Sequence, residues 1–102
     1  MVFHKNVIWS PSAKQDLENI TDYIMNEWGS RIVSKFLIKL NRIISQITVN
    51  PKQYPLFNSR LKIRRCVISK QNTLFYRIKK NEIEIVRIYD TRQDPEKLKI
   101  LF

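Results

Sequence analysis

The chain has 102 residues, 43% hydrophobic and 27% charged, with a formal net charge of +10. That length bounds it to one domain with one modest core, and apolar residues spread along the whole chain argue against disorder. A single Gly, a single His (His4) and a single Cys (Cys66) exclude a Gly-rich phosphate loop, a His/Cys metal cluster and an internal disulfide.

Val7–Ser10 is a short apolar run that reads as a first strand. Ser10-Pro11 is a helix start, with Ser12 and Gln15 as a competing cap. Ala13, Leu17, Ile20, Ile24 and Trp28 recur at helical spacing, which predicts a helix ending at Gly29. Asp16, Glu18, Asp22 and Glu27 read as its solvated face, and Trp9 and Trp28 as core anchors. Ser30 is a cap for a second helix whose apolar stripe is Val33, Phe36, Leu37, Leu40, Ile43, Ile44 and Ile47. Asn50-Pro51 closes it. With two residues between them, the helices should form an antiparallel hairpin.

Residues 51–60 read as a proline-bearing loop, pinned to the body by Tyr54, Leu56 and Phe57. Three β-like runs follow: 63–68, 73–79 and 83–89. Gln71-Asn72 and Lys80-Asn81 are polar connections with Asn suited to a left-handed turn, so the runs predict an antiparallel meander. The expected class is α+β: an N-terminal strand and a helical hairpin packed on a small antiparallel sheet, in the order β-α-α-β-β-β.

Charge is unevenly spread. Residues 51–102 hold 13 Lys/Arg against 5 Asp/Glu, whereas residues 1–50 hold 6 against 4. The basic half is the strand half, which points to a negatively charged partner. No apolar run suggests a signal peptide or a membrane span, and the lone cysteine suits a reducing compartment, so a cytoplasmic location is expected. No cofactor is expected.

The ordered set Trp9-Ser10-Pro11, Ala13, Asp16-Leu17, Ile20, Tyr23-Ile24, Asn50-Pro51, Pro55, Arg64-Arg65, Phe75-Tyr76-Arg77 and Tyr89–Pro95 resembles the RelE/ParE superfamily of bacterial type II toxins, closer to its ParE-like members. The resemblance implies a growth-inhibiting toxin held inactive by a cognate antitoxin, with operator DNA contacted only through that antitoxin and no membrane partner. ParE-like members inhibit DNA gyrase. RelE-like members are metal-independent endoribonucleases that cut mRNA in the translating ribosome.

RNA cleavage needs a base, cations for the phosphorane and an acid for the leaving oxygen. Arg65, Tyr89 and Arg92 are the catalytic candidates if the chain is a nuclease. RNA-cutting relatives carry a Tyr, or a His-Tyr pair, beyond the last strand, and this chain has neither after Tyr89. The binding candidates are Arg64, Arg65, Lys70, Arg77, Arg87 and Arg92. The plainer reading is a solvated strand face, and for Arg92 a salt bridge to Asp90 or Asp94. Strand alternation puts Arg64 and Arg65 on opposite faces, so one of them must sit on the helix-covered side or at its rim. Tyr76 reads as sheet packing and Cys66 as a small buried hydrophobe. Leu98, Ile100, Leu101 and Phe102 are an apolar close expected to contact the antitoxin or a second toxin copy.

Overall fold

The computed structural model describes residues 6–92. The chain runs β1 (Asn6–Trp9), α1 (Pro11–Trp28), α2 (Ser30–Val49), β2 (Leu56–Asn58), β3 (Ile63–Val67), β4 (Asn72–Ile78) and β5 (Glu82–Asp90). The strands form one sheet in the order β1-β5-β4-β3-β2, in which β1 runs parallel to β5 and every other pair is antiparallel. The α+β layout and the meander are as expected. The loop at 51–60 contains an unforeseen short strand, β2, which pairs irregularly with β3. The backbone amide of Arg65 donates to the Pro55 carbonyl at 3.0 Å, which extends that edge.

Ser10 settles the choice of cap. Its Oγ accepts from the Ala13 amide at 2.9 Å and donates to the Val86 carbonyl at 2.7 Å, so one hydroxyl caps α1 and ties it to β5. Gly29 ends α1 with φ +86°, its amide donating to the Ile24 and Met25 carbonyls. The N-cap of α2 is Gly29 rather than Ser30, which is already helical. The Lys80-Asn81 turn also differs from expectation. Lys62 is the only non-glycine residue with positive φ among the described residues, so neither turn residue is left-handed.

The main core lies between the hairpin and the sheet. Ala13, Ile20, Ile24, Leu40, Ile44 and Ile47 meet Cys66, Ile68, Leu74, Tyr76, Ile83, Ile85 and Ile88. A second, smaller cluster of Ile63, Phe75 and Tyr89, with Val86 against it, lies on the sheet's other face. Central strand β4 is therefore buried on both sides, with Phe75 at 1% and Tyr76 at 0% exposure. Between Phe75 and Tyr76 the pairing with β5 slips by one residue, leaving Val86 without a register partner. This bulge shifts the side-chain phase of β5. Ile88 rather than Arg87 then follows Ile85 into the helix-side core.

The bulged half of β5 has no strand on its outer edge, because β1 ends at Trp9. Helix α1 supplies the missing partners. Asp16 accepts from the Ile88 amide at 2.9 Å and from Arg87 Nε and Nη2 at 2.7 and 2.9 Å. Asp16 is 4% exposed, so its expected place on a solvated face is corrected: it faces the sheet edge and replaces a neighbouring strand. Glu18, Asp22 and Glu27 are exposed as expected. Trp28 is corrected in the other direction. It is 55% exposed at the hairpin tip, packed edge-on against Tyr23 at 5.8 Å. Trp9 packs against the core, partly buried. Among the described residues no helix is long and apolar enough to cross a membrane.

Asp16→Ala strands a buried amide and a partly buried guanidinium together. It should lower unfolding free energy by about 3 kcal/mol, the low end for a broken buried pair because Arg87 keeps some solvent; urea denaturation measures it. Gly29→Ala meets no atom within 4 Å of the added Cβ. With φ +86° and ψ −178°, Gly29 lies in a region that essentially only glycine adopts, so the cost, about 1–3 kcal/mol, should come from the backbone alone, and a Gly29→Asn variant should cost as much in the same assay.

Candidate functional site

The cationic residues singled out from the sequence sort by what they touch. Arg64 lies on the helix-covered face with Cys66, as one of the two arginines had to. Its Nη1 donates to the Tyr54 carbonyl at 2.7 Å and the Lys52 carbonyl at 3.4 Å, bracing the 51–55 loop. Arg87 is held by Asp16, whose hydrogen bonds keep the guanidinium above its ordinary pKa despite partial burial. Arg77 donates through Nε to Glu84 Oε1 at 2.9 Å, and Lys79 Nζ lies 3.7 Å from the same oxygen. These cations fasten loop to strand, helix to strand and strand to strand.

Arg92 follows the same pattern. Its backbone amide and Nε donate to Asp90 Oδ1 at 2.9 and 2.8 Å, which bears out the salt bridge to Asp90. The guanidinium also stacks 4.4 Å above the Tyr23 ring and 5.8 Å from the Trp28 ring. Hydrogen bonding to Asp90 raises its pKa, with burial opposing. Arg92 therefore joins the end of β5 to the end of α1.

Arg65 and Lys70 remain. Both are exposed, and neither has a carboxylate within salt-bridge distance among the described residues. Arg65 pairs in register with Phe75 on the face away from the helices. Its guanidinium lies 5.7 Å from the centre of the Phe57 ring, which packs edge-on against Phe75 at 4.9 Å. An aromatic pair thus holds Arg65 out from the sheet. Lys70 sits in the β3–β4 turn. That turn is closed by Ser69 Oγ, which accepts from the Gln71 and Asn72 amides at 3.3 and 3.2 Å.

Tyr89 shares the outer face with Arg65 but lies two strands away, on β5. It pairs in register with Thr73 rather than with Phe75. It is 8% exposed, within the Ile63–Phe75 cluster. Neighbouring strands are spaced about 4.8 Å apart and residues along a strand about 3.3 Å, so two strands and two residues separate Arg65 from Tyr89 by about 12 Å. Of the three candidates for RNA cleavage, Arg65 and Tyr89 share a face, while Arg92 is fixed against the hairpin.

Two further groups suited to proton transfer, Tyr76 and Cys66, are withdrawn into the core. Burial pushes the Tyr76 phenol up to about 12, with the Arg64 charge pulling the other way, and its hydroxyl donates to the Pro51 carbonyl at 2.6 Å. Burial pushes the Cys66 thiol up, which disfavours a thiolate nucleophile. Among the described residues no group of three His, Cys, Asp or Glu could hold a metal ion. Leu98, Ile100, Leu101 and Phe102 lie outside the described residues. Asp16, Tyr23 and Asn72, all placed at contacts or grooves by the fold, had not been singled out as site residues. Only Asp16 carried a signal, as an acid in register with Ala13 and Ile20 on the apolar stripe.

The family described as the ParE toxin of the type II toxin–antitoxin system, parDE, matches residues 7–95. No curated protein sequence matches the chain. Among solved structures, the chromosomal ParDE toxin–antitoxin system from P. aeruginosa superposes with a TM-score of 0.71 at 19% identity, covering 85% of this chain and 96% of that one. The YoeB/ParE toxin from Agrobacterium tumefaciens gives 0.62 at 15%, covering 83% and 97%. A chain of the RelBE2 toxin–antitoxin complex from Mycobacterium tuberculosis gives 0.58 at 16%, covering 86% and 99%. At these identities the likeness to the solved structures is one of fold.

The Tyr76 environment gives a pH test. The unfolded phenol ionises near 10.0 and the folded one at about 12. Its contribution is therefore intact below pH 10 and is lost as pH rises from 10 towards about 12, because the unfolded state releases the proton first. Tyr76→Phe should flatten that part of the stability–pH curve in urea titrations, at a cost near neutrality of about 1 kcal/mol for the lost Pro51 hydrogen bond.

Proposed function

This chain belongs to the ParE toxin family, and from that premise we propose that it stops bacterial growth in the cytoplasm by binding DNA gyrase. It is the toxin component of a type II toxin–antitoxin system, and a cognate antitoxin is its partner. Inhibition by binding needs a surface rather than a reaction centre. One observation carries this reading: Arg92, a cation of the nuclease set, is engaged by Asp90, Tyr23 and Trp28, while Tyr89 is sunk in an apolar cluster. What stays available on the outer face is Arg65, backed by Phe57 and Phe75, with Lys70 at the adjoining turn. A cation presented on a rigid aromatic support suits an acidic protein surface, because little side-chain freedom is lost on binding.

In this reading Arg65 and Lys70 contact the target, and Arg64, Arg77, Arg87 and Arg92 hold the strands and helices that present them. A RelE-like, ribosome-dependent mRNA endoribonuclease is the second reading. It is favoured by the position of Arg65 and Tyr89 on the same face, where they would act as phosphate-binding cation and acid.

The two are separated by gyrase supercoiling of relaxed plasmid, run beside mRNA cleavage by translating ribosomes, each with and without antitoxin. The expected result is loss of supercoiling, relieved by antitoxin, with mRNA intact; cut mRNA with unaffected gyrase overturns it. Arg65→Glu should weaken gyrase inhibition by about tenfold or more, the effect of reversing a charge in a contact worth at least 1.4 kcal/mol. Its melting temperature should stay close to that of the parent, since the side chain is exposed. Tyr89→Phe should leave inhibition unchanged.

A further inference from the structure

The two helices of the hairpin divide the charge between them. Helix α1 holds Lys14 against Asp16, Glu18, Asp22 and Glu27, whereas α2 holds Arg31, Lys35, Lys39 and Arg42 and no acid. The mild balance of residues 1–50 thus conceals an acidic helix and a basic one. Leu40, Ile44 and Ile47 turn one side of α2 to the core. At ~3.6 residues per turn, Arg31, Lys35 and Arg42 centre on the opposite side, and Lys39 flanks them. All four are exposed, and none has a carboxylate within salt-bridge distance among the described residues.

This stripe is unfavourable for the chain alone. Arg31, Lys35 and Lys39 follow one another at i,i+4, and like charges at that spacing destabilise a helix. A polyanion laid along α2 relieves the repulsion. With a rise of ~1.5 Å per residue, Arg31 to Arg42 extends over about 16 Å. One strand of a DNA duplex advances ~3.4 Å per nucleotide, so about five of its phosphates lie beside the four cations. The face does not suit other partners. The one aromatic residue of α2, Phe36, packs against the core, so no ring is offered for stacking the bases of a single strand. Ile38, 60% exposed, interrupts the row of cations, but one aliphatic side chain among four charges does not make the apolar centre of a protein interface.

We propose that the outward face of α2 binds the phosphate backbone of duplex DNA, without regard to sequence. Arg31, Lys35 and Arg42 meet phosphates along one strand, Lys39 reaches the same backbone from the side, and Ile38 lies against the sugars between them. Contacts to phosphate and sugar fix position and read no bases. Exposed Glu18, Asp22 and Glu27 on α1 repel the duplex from the other half of the hairpin, so it approaches along α2. The choice of DNA over double-stranded RNA rests on the gyrase reading, in which the target itself holds duplex DNA. The helices cover one face of the sheet and Arg65 stands on the other. The toxin can therefore touch the enzyme through Arg65 and Lys70 and its DNA through α2.

The test is fluorescence anisotropy of a labelled DNA duplex of mixed sequence, titrated with the intact chain over a series of salt concentrations. The parent is compared with an Arg31→Gln/Lys35→Gln/Lys39→Gln/Arg42→Gln variant. A Lys14→Gln/Lys52→Gln/Arg60→Gln/Lys62→Gln variant of equal net charge is the control. All eight side chains belong to exposed residues, and circular dichroism checks that both variants fold. Loss of the α2 cations should make the slope of log affinity against log salt shallower by about 3 to 4, and should lower affinity about tenfold or more at about 0.1 M salt. The control should keep the parent slope to within about one. Equal losses in the two variants would reduce the attraction to net charge and overturn the proposal. So would tighter binding to single-stranded DNA or to an RNA duplex, or binding of polyglutamate as tight as that of DNA, which would assign the face to an acidic protein. The duplex is probed without gyrase, so failure here leaves the supercoiling result standing. Unaffected gyrase beside α2-dependent DNA binding would overturn the gyrase reading alone.

Discussion

The carboxylate of Asp16 is the contact on which the arrangement of this protein depends. A β-bulge after Ile85 shifts β5 by one residue, and β1 stops at Trp9. The last residues of β5 would then present an unpaired edge beside the hairpin. Asp16 meets that edge by accepting from the Ile88 amide and binding Arg87 through two nitrogens. A turn earlier, Ser10 Oγ accepts from Ala13 while donating to the Val86 carbonyl. Polar side chains of α1 thereby do what a sixth strand would do, and they set where the hairpin lies across the sheet.

The same logic explains how so basic a chain folds. Like charges gathered on one sheet repel, and each buried cation must be compensated. The chain answers by giving Arg77, Arg87 and Arg92 a carboxylate each and Arg64 the carbonyls of the 51–55 loop. These arginines are structural fasteners first. The positive field that remains for partners is concentrated in exposed groups such as Arg65 and Lys70 on the sheet side and Lys35 and Lys39 on α2. The exposed cations thus lie on two separate faces, one on the outer sheet and one at the hairpin tip. A toxin that must engage both an antitoxin and a target has use for more than one such face.

Much of this was legible in the sequence. Helical spacing from Ala13 to Ile24 and from Val33 to Ile47 marked both helices, and Gly29 and Asn50-Pro51 marked their ends. Alternation through 63–68 placed Arg64 and Arg65 on opposite faces, which the pairing with Tyr76 and Phe75 reproduces. The rest was hidden for physical reasons. Strand β2 is three residues long and irregularly paired, too short to show a period of two. Asp16 reads as a surface acid unless its position on the apolar stripe, three residues after Ala13 and four before Ile20, outweighs its charge. Trp28 continues that stripe yet lies at the last residue of α1, where the core no longer covers it. The bulge in β5 leaves no mark in a run of alternating Ile, Val and Glu.

The dependence of the fold on Asp16 is tested most directly by a double-mutant cycle with Arg87, using Asp16→Ala, Arg87→Ala and the double variant in equilibrium urea unfolding. Arg87→Ala should cost less than Asp16→Ala, because the carboxylate still accepts from Ile88. The pair should show a coupling energy of about 2 kcal/mol, as for residues in one buried hydrogen-bonded network. Additivity within about 0.5 kcal/mol would contradict it, and would mean that the Asp16–Arg87 pair does not help to hold the hairpin on the sheet.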